Sequence, residues 1–390
     1  MAAVALGALA VGGWAGRRSL GEAGSWAAAK WLVAAETVEG WATRLRALAA
    51  TVPEGDTVER VVIPGSRSVL VVLGEEPGAC AFALAAASPD GALSLTLLPP
   101  GLAVVIPGYG DFTLGDSLAF EGPGLAALTV TNALGVRVDF ILPLVAGDLA
   151  RAVSGPLTLD LPVALFTIES GGPVQVLGAG RQQVSPSTLE TLLVTAGTGD
   201  AFEWLQRQGA AWRALLDAVA ADPTAAGRLA ARLPVGGQET ADLLSAVAGA
   251  GDLALGALPV ERVATPAGEA LALSSRAEAE FVAARLGHLL LLSGERPRVE
   301  VLNGNGRIGA TRVVAEAVVR RGFRVVRTDN ADRFDYAATL VVAHGTEAQE
   351  AARRVAGIVG VGAVYLEEAS PSPGVEVSII VGLDIPAGEA

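Results

Sequence analysis

Gly304, Gly306 and Gly309 satisfy G-x-G-x-x-G, and Asp329 follows Gly309 by twenty positions. In that arrangement a dinucleotide's pyrophosphate lies on backbone amides at a helix N-terminus, and the acid takes the ribose hydroxyls. Other chemistry-bearing residues are sparse. Glu76 closes an apolar run, and Arg207-Gln208 stand among Trp204, Leu205 and Trp212. Between Ser68 and Asp200 there are three arginines, Arg137, Arg151 and Arg181. Phosphoryl chemistry needs several converging guanidinium groups and carboxylates that hold a divalent cation. Each survivor has a plainer alternative. Glu76 could end a strand in solvent, and Arg207 could lie over an aromatic ring or pair with Glu203. One cysteine, Cys80, excludes an internal disulfide and a thiolate metal cluster. Two histidines, His288 and His344, fall in different regions and offer no histidine-based metal site or nucleophile–base pair.

The elements around the glycine loop decide against a dinucleotide. Apolar alternation at 299–302 gives way to helical spacing at Ile308, Val313, Val314, Ala317 and Val318. A Rossmann unit needs a second crossover helix after the strand ending near Arg327. Only Thr328 to Ala338 intervene before the next strand, too few for a crossover. A helix over 347–359 and strands near 363–366 and 375–381 complete the order β-α-β-β-α-β-β. That order predicts a small split α/β domain over 298–386. Ser293-Gly294-Glu295-Arg296-Pro297 reads as the linker before it.

The chain has 390 residues, of which 51% are hydrophobic, enough for two or three cored domains. A single lysine, Lys30, among many arginines suggests a GC-rich, actinobacterial source. Residues 51–295 carry 12 basic and 26 acidic groups and hold essentially all of the net charge of −13. A surface of that sign repels polyanions, so no nucleic-acid role is supported. Residues 1–16 are apolar and end before Arg17-Arg18, short of the ~20 residues that cross a bilayer. They read as a truncated signal-anchor or an apolar N-terminal helix. Residues 17–55 read as a juxtamembrane amphipathic helix with Trp31 and Trp41 on one stripe, then a linker. From 56 to 293, buried strands alternate with helices, an α/β pattern.

Two stretches resemble known families. Val301-Leu302-Asn303-Gly304, Gly309-Ala310, Arg320-Arg321-Gly322-Phe323, Asp332 to Tyr336, Ala351-Ala352-Arg353 and Val381 to Asp384 look like the LytR C-terminal domain. That resemblance implies a small extracytoplasmic module of actinobacterial envelope proteins. Residues 56–293 resemble the LytR-CpsA-Psr domain more weakly, through Ile106-Pro107-Gly108-Tyr109-Gly110, Gly135 to Phe140, and Trp204 to Gln208. The resemblance implies an α/β/α sandwich, single-pass anchoring with extracytoplasmic domains, and transfer of a glycopolymer from a polyprenyl pyrophosphate to peptidoglycan with Mg or Mn. The family's Arg-x-Asp-Thr, Pro-Arg-Asp and Arg-x-Arg segments are missing here. Ala79 to Phe82, Pro99-Pro100-Gly101 and Leu193 to Thr198 stand in their places, the last where the family has a strand end. Only Glu76, Arg207 and Gln208 remain as binding candidates, with no catalytic or metal-ligating residue and no cofactor. The expectation is a noncatalytic envelope protein that binds cell-wall proteins, a lipid or a glycopolymer. The alternatives are a working phosphotransferase, favoured if Arg137, Arg151 and Arg181 converge with Arg207, and an apolar lipid binder, favoured by a long tunnel.

Overall fold

The computed structural model describes residues 63–265, 268–361, 364–368, 370 and 372–385. The apolar run over 1–16 and the tryptophan-bearing helix and linker expected over 17–55 lie outside these residues. Among the described residues no helix is long and apolar enough to cross a membrane.

Three apolar runs form an antiparallel meander, β1 (Arg67–Glu76), β2 (Ala79–Ala87) and β3 (Leu93–Leu98). A hairpin of β4 (Ala103–Ile106) and β5 (Gly110–Thr113) leads into α1 (Asp116–Glu121) and α2 (Pro123–Leu134). β6 (Phe140–Leu144) returns parallel to β1. Next come α3 (Asp148–Ala152) and four short strands: β7 (Leu157–Leu161), β8 (Leu165–Glu169), β9 (Gly172–Leu177) and β10 (Gly180–Val184). Four helices follow, α4 (Pro186–Val194), α5 (Ala201–Ala221), α6 (Ala225–Ala230) and α7 (Gly237–Gly249). β11 (Ala254–Ala257) joins the main sheet parallel to β3, ahead of the β12 (Val260–Thr265) and β13 (Gly268–Leu273) hairpin and α8 (Ser275–Arg285).

The main sheet has the order β11-β3-β2-β1-β6. Alternation along β1 divides two cores, as a period of two requires. Val69, Val71 and Leu73 face Leu189, Trp212, Leu215 and Leu243 of α4, α5 and α7. Leu70 and Val72 face Leu118, Ala126, Val130 and Val282 of α1, α2 and α8. Helices therefore cover both faces, which makes the α/β/α sandwich.

The C-terminal region follows the expected order: β14 (Arg298–Asn303), α9 (Ala310–Val319), β15 (Arg324–Asn330), β16 (Leu340–His344), α10 (Gln349–Val359), β17 (Val364–Glu367) and β18 (Val377–Val381). Its sheet order is β15-β14-β18-β16-β17, with β16 and β18 antiparallel. Val299, Val301, Val341, Val377 and Ile379 face α9 and α10 on one side of the sheet.

Several local expectations need correction. The apolar run Leu289–Leu292 suggests a brief strand but forms none. Gly287–Leu289 is a 3-10 turn, and Leu290 makes a single bridge to Val136. β11 and β12 are parted by Pro259, and 264–275, whose alanine, glycine and proline suggest a connection, holds β13. Leu193 to Thr198, placed at a strand end, closes helix α4 and crosses to α5.

The two regions share a core and several polar contacts. Ile106, Leu125 and Leu128 pack with Val314, Phe323 and Val325. Asn132 of α2, 3% exposed, donates to the carbonyls of Val105 (3.1 Å) and Val325 (2.9 Å) and accepts from the Val325 N–H (2.9 Å). Val325 lies on an edge strand, so this side chain occupies peptide groups that a further strand would otherwise pair. Arg296, expected in an open linker, donates to the carbonyls of Asn132 (2.8 Å), Gly322 (3.0 Å) and Phe323 (2.9 Å). Burial, and then the charge of Arg324, push its guanidinium down to about 10.

Candidate functional site

Arg207 lies on the inner face of α5, an amphipathic helix whose N-cap Asp200 accepts from the Glu203 N–H (2.8 Å). Its side chain is 1% exposed, the largest of the fully buried ones. Nη2 donates to the Ala196 carbonyl at 2.5 Å, and Nη1 is 4.0 Å from Glu203 Oε2, while Nε has no partner. Burial draws the guanidinium below its ordinary value, against Glu203 and Asp200, which favour its charge. Gln208, fully buried, donates to the Leu193 carbonyl (2.8 Å), and Trp204 Nε1 donates to the same oxygen (3.1 Å). Both residues thus hold the end of α4 and the 194–198 crossing in place. These carbonyls need donors because a helix leaves its last C=O groups unpaired.

Glu76 is exposed at the end of β1, opposite Ala79 across a register shift. Among the described residues no hydrogen bond or ion pair joins it to Arg207 or Gln208. Nor do the other arginines converge. Arg137 binds the Ser66 carbonyl (3.0 Å) and pairs with Asp139, and Arg151 pairs with Asp148 at 2.5 Å. Arg181 is exposed on β10, in register with Asp160. None of these shares a partner with Arg207. Between the sheet and helices α5 to α7, the apolar space lined by Val71, Leu142, Trp212, Leu215 and Leu244 measures about 20 Å³. That is room for one small molecule such as water, not a lipid chain. Among the described residues no group of His, Cys, Asp and Glu could hold a metal ion.

The glycine loop is filled from within. Asn303 Oδ1 accepts from the N–H groups of Asn305 (3.2 Å) and Gly306 (2.9 Å), and Asn305 Oδ1 accepts from Arg307 N (2.9 Å). A pyrophosphate would need those amides free. A Cβ at Gly304 would stand 2.7 Å from Ile380 and 2.8 Å from Tyr336, so this glycine serves close packing. Asp329 is bound to Arg327 (2.9 Å) and to the Asn330 N–H (2.8 Å).

A polar network on the same sheet was not visible in the sequence. Glu300, 1% exposed on β14, accepts from Ser378 Oγ (2.6 Å), Ser372 Oγ (2.8 Å) and Arg327 Nη1 (3.4 Å). His344 Nε2 meets Ser378 Oγ at 2.6 Å, and its Nδ1 is 3.5 Å from Glu367. The one available signal was a glutamate inside the apolar alternation of 299–302.

Residues 296–384 match the LytR_C family model, described as LytR cell envelope-related transcriptional attenuator. No curated protein matches the chain. Among solved structures, a transcriptional regulator from Enterococcus faecalis is similar at 16% identity and TM-score 0.47, covering 60% of this chain and 91% of that one. TagV of B. subtilis is similar at 14% identity and TM-score 0.47, covering 57% and 97%. A LytR-Csp2A-Psr enzyme from Actinomyces oris is similar at 16% identity and TM-score 0.45, covering 59% and 92%.

Proposed function

We propose, from the LytR_C match over 296–384, that this is a noncatalytic cell-envelope protein whose middle domain, related to the LytR-CpsA-Psr transferases, acts as a binding or scaffold module in cell-wall assembly. One observation carries the reading: the buried guanidinium of the middle domain binds its own backbone. Arg207 is engaged with Ala196 and Glu203, and Arg137, Arg151 and Arg181 are held elsewhere or exposed. Each donor lost from a transition-state charge costs roughly 3–4 kcal/mol, so a site with no converging donors retains little catalysis. The partners we propose are envelope proteins or a glycopolymer, at the outer face of a membrane reached through the residues before 63.

The test is release of phosphate from a polyprenyl pyrophosphate analogue with magnesium or manganese present. The expected outcome is release at the rate of buffer alone. Turnover that disappears in Glu76→Gln, a change at an exposed strand end with no folding role, would establish the enzyme alternative.

A further inference from the structure

The sheet face turned away from α9 and α10 carries a polar cleft of about 610 Å³. That is within the size range of small-ligand pockets. Asp111 of β5, the β14–β15 pair and the 372–375 turn form its walls. The parallel register sets Arg298 beside Arg324 on neighbouring strands, and a shift after Val299 brings Arg327 opposite Glu300. Such a bulge re-aims a side chain, here adding a third guanidinium to the same cleft. Like charges set side by side oppose strand pairing unless something negative lies between them.

The neighbouring acids answer this only in part. Arg327 pairs with Asp329 at 2.9 Å, and Arg298 reaches Glu376 at 3.5 Å. Exposed Arg324 forms no ion pair among the described residues. Beneath them, the buried Glu300 carboxylate ties Arg327 and Ser372 together through the contacts given above. A buried carboxylate is costly to desolvate, and here it fixes one wall and one guanidinium of the cleft. Gly374, at φ +73°, lies under Arg298, whose Nη1 would be 3.4 Å from a Cβ there.

We propose that this cleft binds the phosphate of a phosphorylated sugar or polyol. Guanidinium forks match phosphate oxygens in pairs, so Arg324, which has no ion pair of its own among the described residues, takes the anion. Arg298 and Arg327 reach it by exchanging the solvent-accessible carboxylates of Glu376 and Asp329 for the phosphate. Asp111, Asp329 and the Ser372 hydroxyl accept hydrogen bonds from sugar hydroxyls beside it. Among the described lining residues there is no aromatic ring, so nothing stacks on a nucleobase. Apart from Asp111, this site is built from the C-terminal domain, and it stands whether or not the middle domain is catalytic.

The experiment is isothermal titration calorimetry on the full chain with glucose 1-phosphate, a glycerol phosphate oligomer, glucose and oligothymidylate. We expect binding of the phosphorylated ligands, weakening as salt rises. Arg324→Gln lowers affinity about tenfold or more, because each hydrogen bond to a charged group is worth that much. Arg324→Lys, which keeps the charge and loses the fork, falls between, and Arg181→Gln on the other domain changes nothing. Tighter binding of the oligomer identifies a polymer as the source, and equal binding identifies a free sugar phosphate. The proposal is overturned if neither phosphorylated ligand binds, or if glucose or oligothymidylate binds as tightly. It is also overturned if Arg324→Gln, melting as the parent does, leaves affinity unchanged.

Discussion

Two buried side chains of the middle domain show how its polar groups are used. Arg207 has one close acceptor, a distant and half-exposed glutamate, and an Nε without a partner. Its desolvation is therefore poorly compensated, and an apolar side chain of similar length relieves that cost while losing one hydrogen bond. Arg207→Met is expected to change stability by less than about 1 kcal/mol. Arg207→Ala leaves a void beside Trp204 and costs about 2–4 kcal/mol. Chemical denaturation of the two variants measures the difference, and a large loss in Arg207→Met would point to a charge that folding requires. Cys80 behaves in the opposite way. Burial, and then the negative charge of Asp116, push its thiol from the ordinary 9.0 up to about 12. The folded state holds the proton more tightly than the unfolded chain, so this stabilisation is complete below pH 9 and fades as pH rises towards 12. Because the thiolate is the reactive form, Cys80 should resist alkylation at pH 8 in the folded protein and react at once in denaturant. Mass spectrometry after timed labelling reads this directly.

Elements that repeat a pattern locally were legible, and those defined by distant partners were not. Ala79–Ala87 is an unbroken apolar run and Leu93–Leu98 a leucine run interrupted by Ser94 and Thr96, and each forms a strand. The C-terminal order was legible because each helix and strand carries its own local pattern within a single short domain. The strands from 157 to 184 were missed, β7 in spite of the alternation of buried Leu157, Leu159 and Leu161. β8 and β9 expose Phe166, Ile168, Val174 and Val176, so no buried face imposes a pattern that spacing could reveal. Asn132 was missed for a different reason. A polar residue in a helix reads as solvent-facing, but the chain that it binds lies 193 residues further on. The same distance hid the Glu300 network, whose serine partners lie 72 and 78 residues away. Asn132 satisfies the N–H and the C=O of Val325 on β15, both away from water, and the Val105 carbonyl on β4. Asn132→Ala strands those groups and should cost about 1–3 kcal/mol for each left unsatisfied. Asn132→Asp keeps the acceptor but removes the donor, and should be nearly as damaging. Thermal unfolding separates both from an exposed control such as Gln238→Ala.

At the scale of the whole molecule, the shared core and the contacts of Asn132, Arg296 and Arg312 should make the two regions unfold together. Arg312 of α9 sits between Glu121 of α1 (3.0 Å) and Glu316 (2.7 Å), and Tyr109 donates to the other oxygen of Glu121 (2.6 Å). The turn that permits this approach is Ile106 to Gly110, one of the stretches that carry the likeness to the LytR-CpsA-Psr domain. Here it faces the C-terminal domain. Gly108 has φ +88°, and a Cβ on it would stand 2.4 Å from the Arg312 Cα, a backbone atom that no rotamer change can move. Its N–H reaches Thr328 Oγ1 at 3.4 Å, and its carbonyl accepts from Thr311 Oγ1 at 3.3 Å. Gly108→Ala therefore combines left-handed strain of roughly 1–3 kcal/mol with a clash that only separation of the domains relieves. The parent chain should melt in one transition, since its buried interface is part of a common core. The variant should melt in two, with the main sheet and the C-terminal sheet each unfolding at its own temperature. Calorimetry distinguishes the outcomes. A single unshifted transition in Gly108→Ala would show that the Gly108–Arg312 approach contributes little to holding the two regions together.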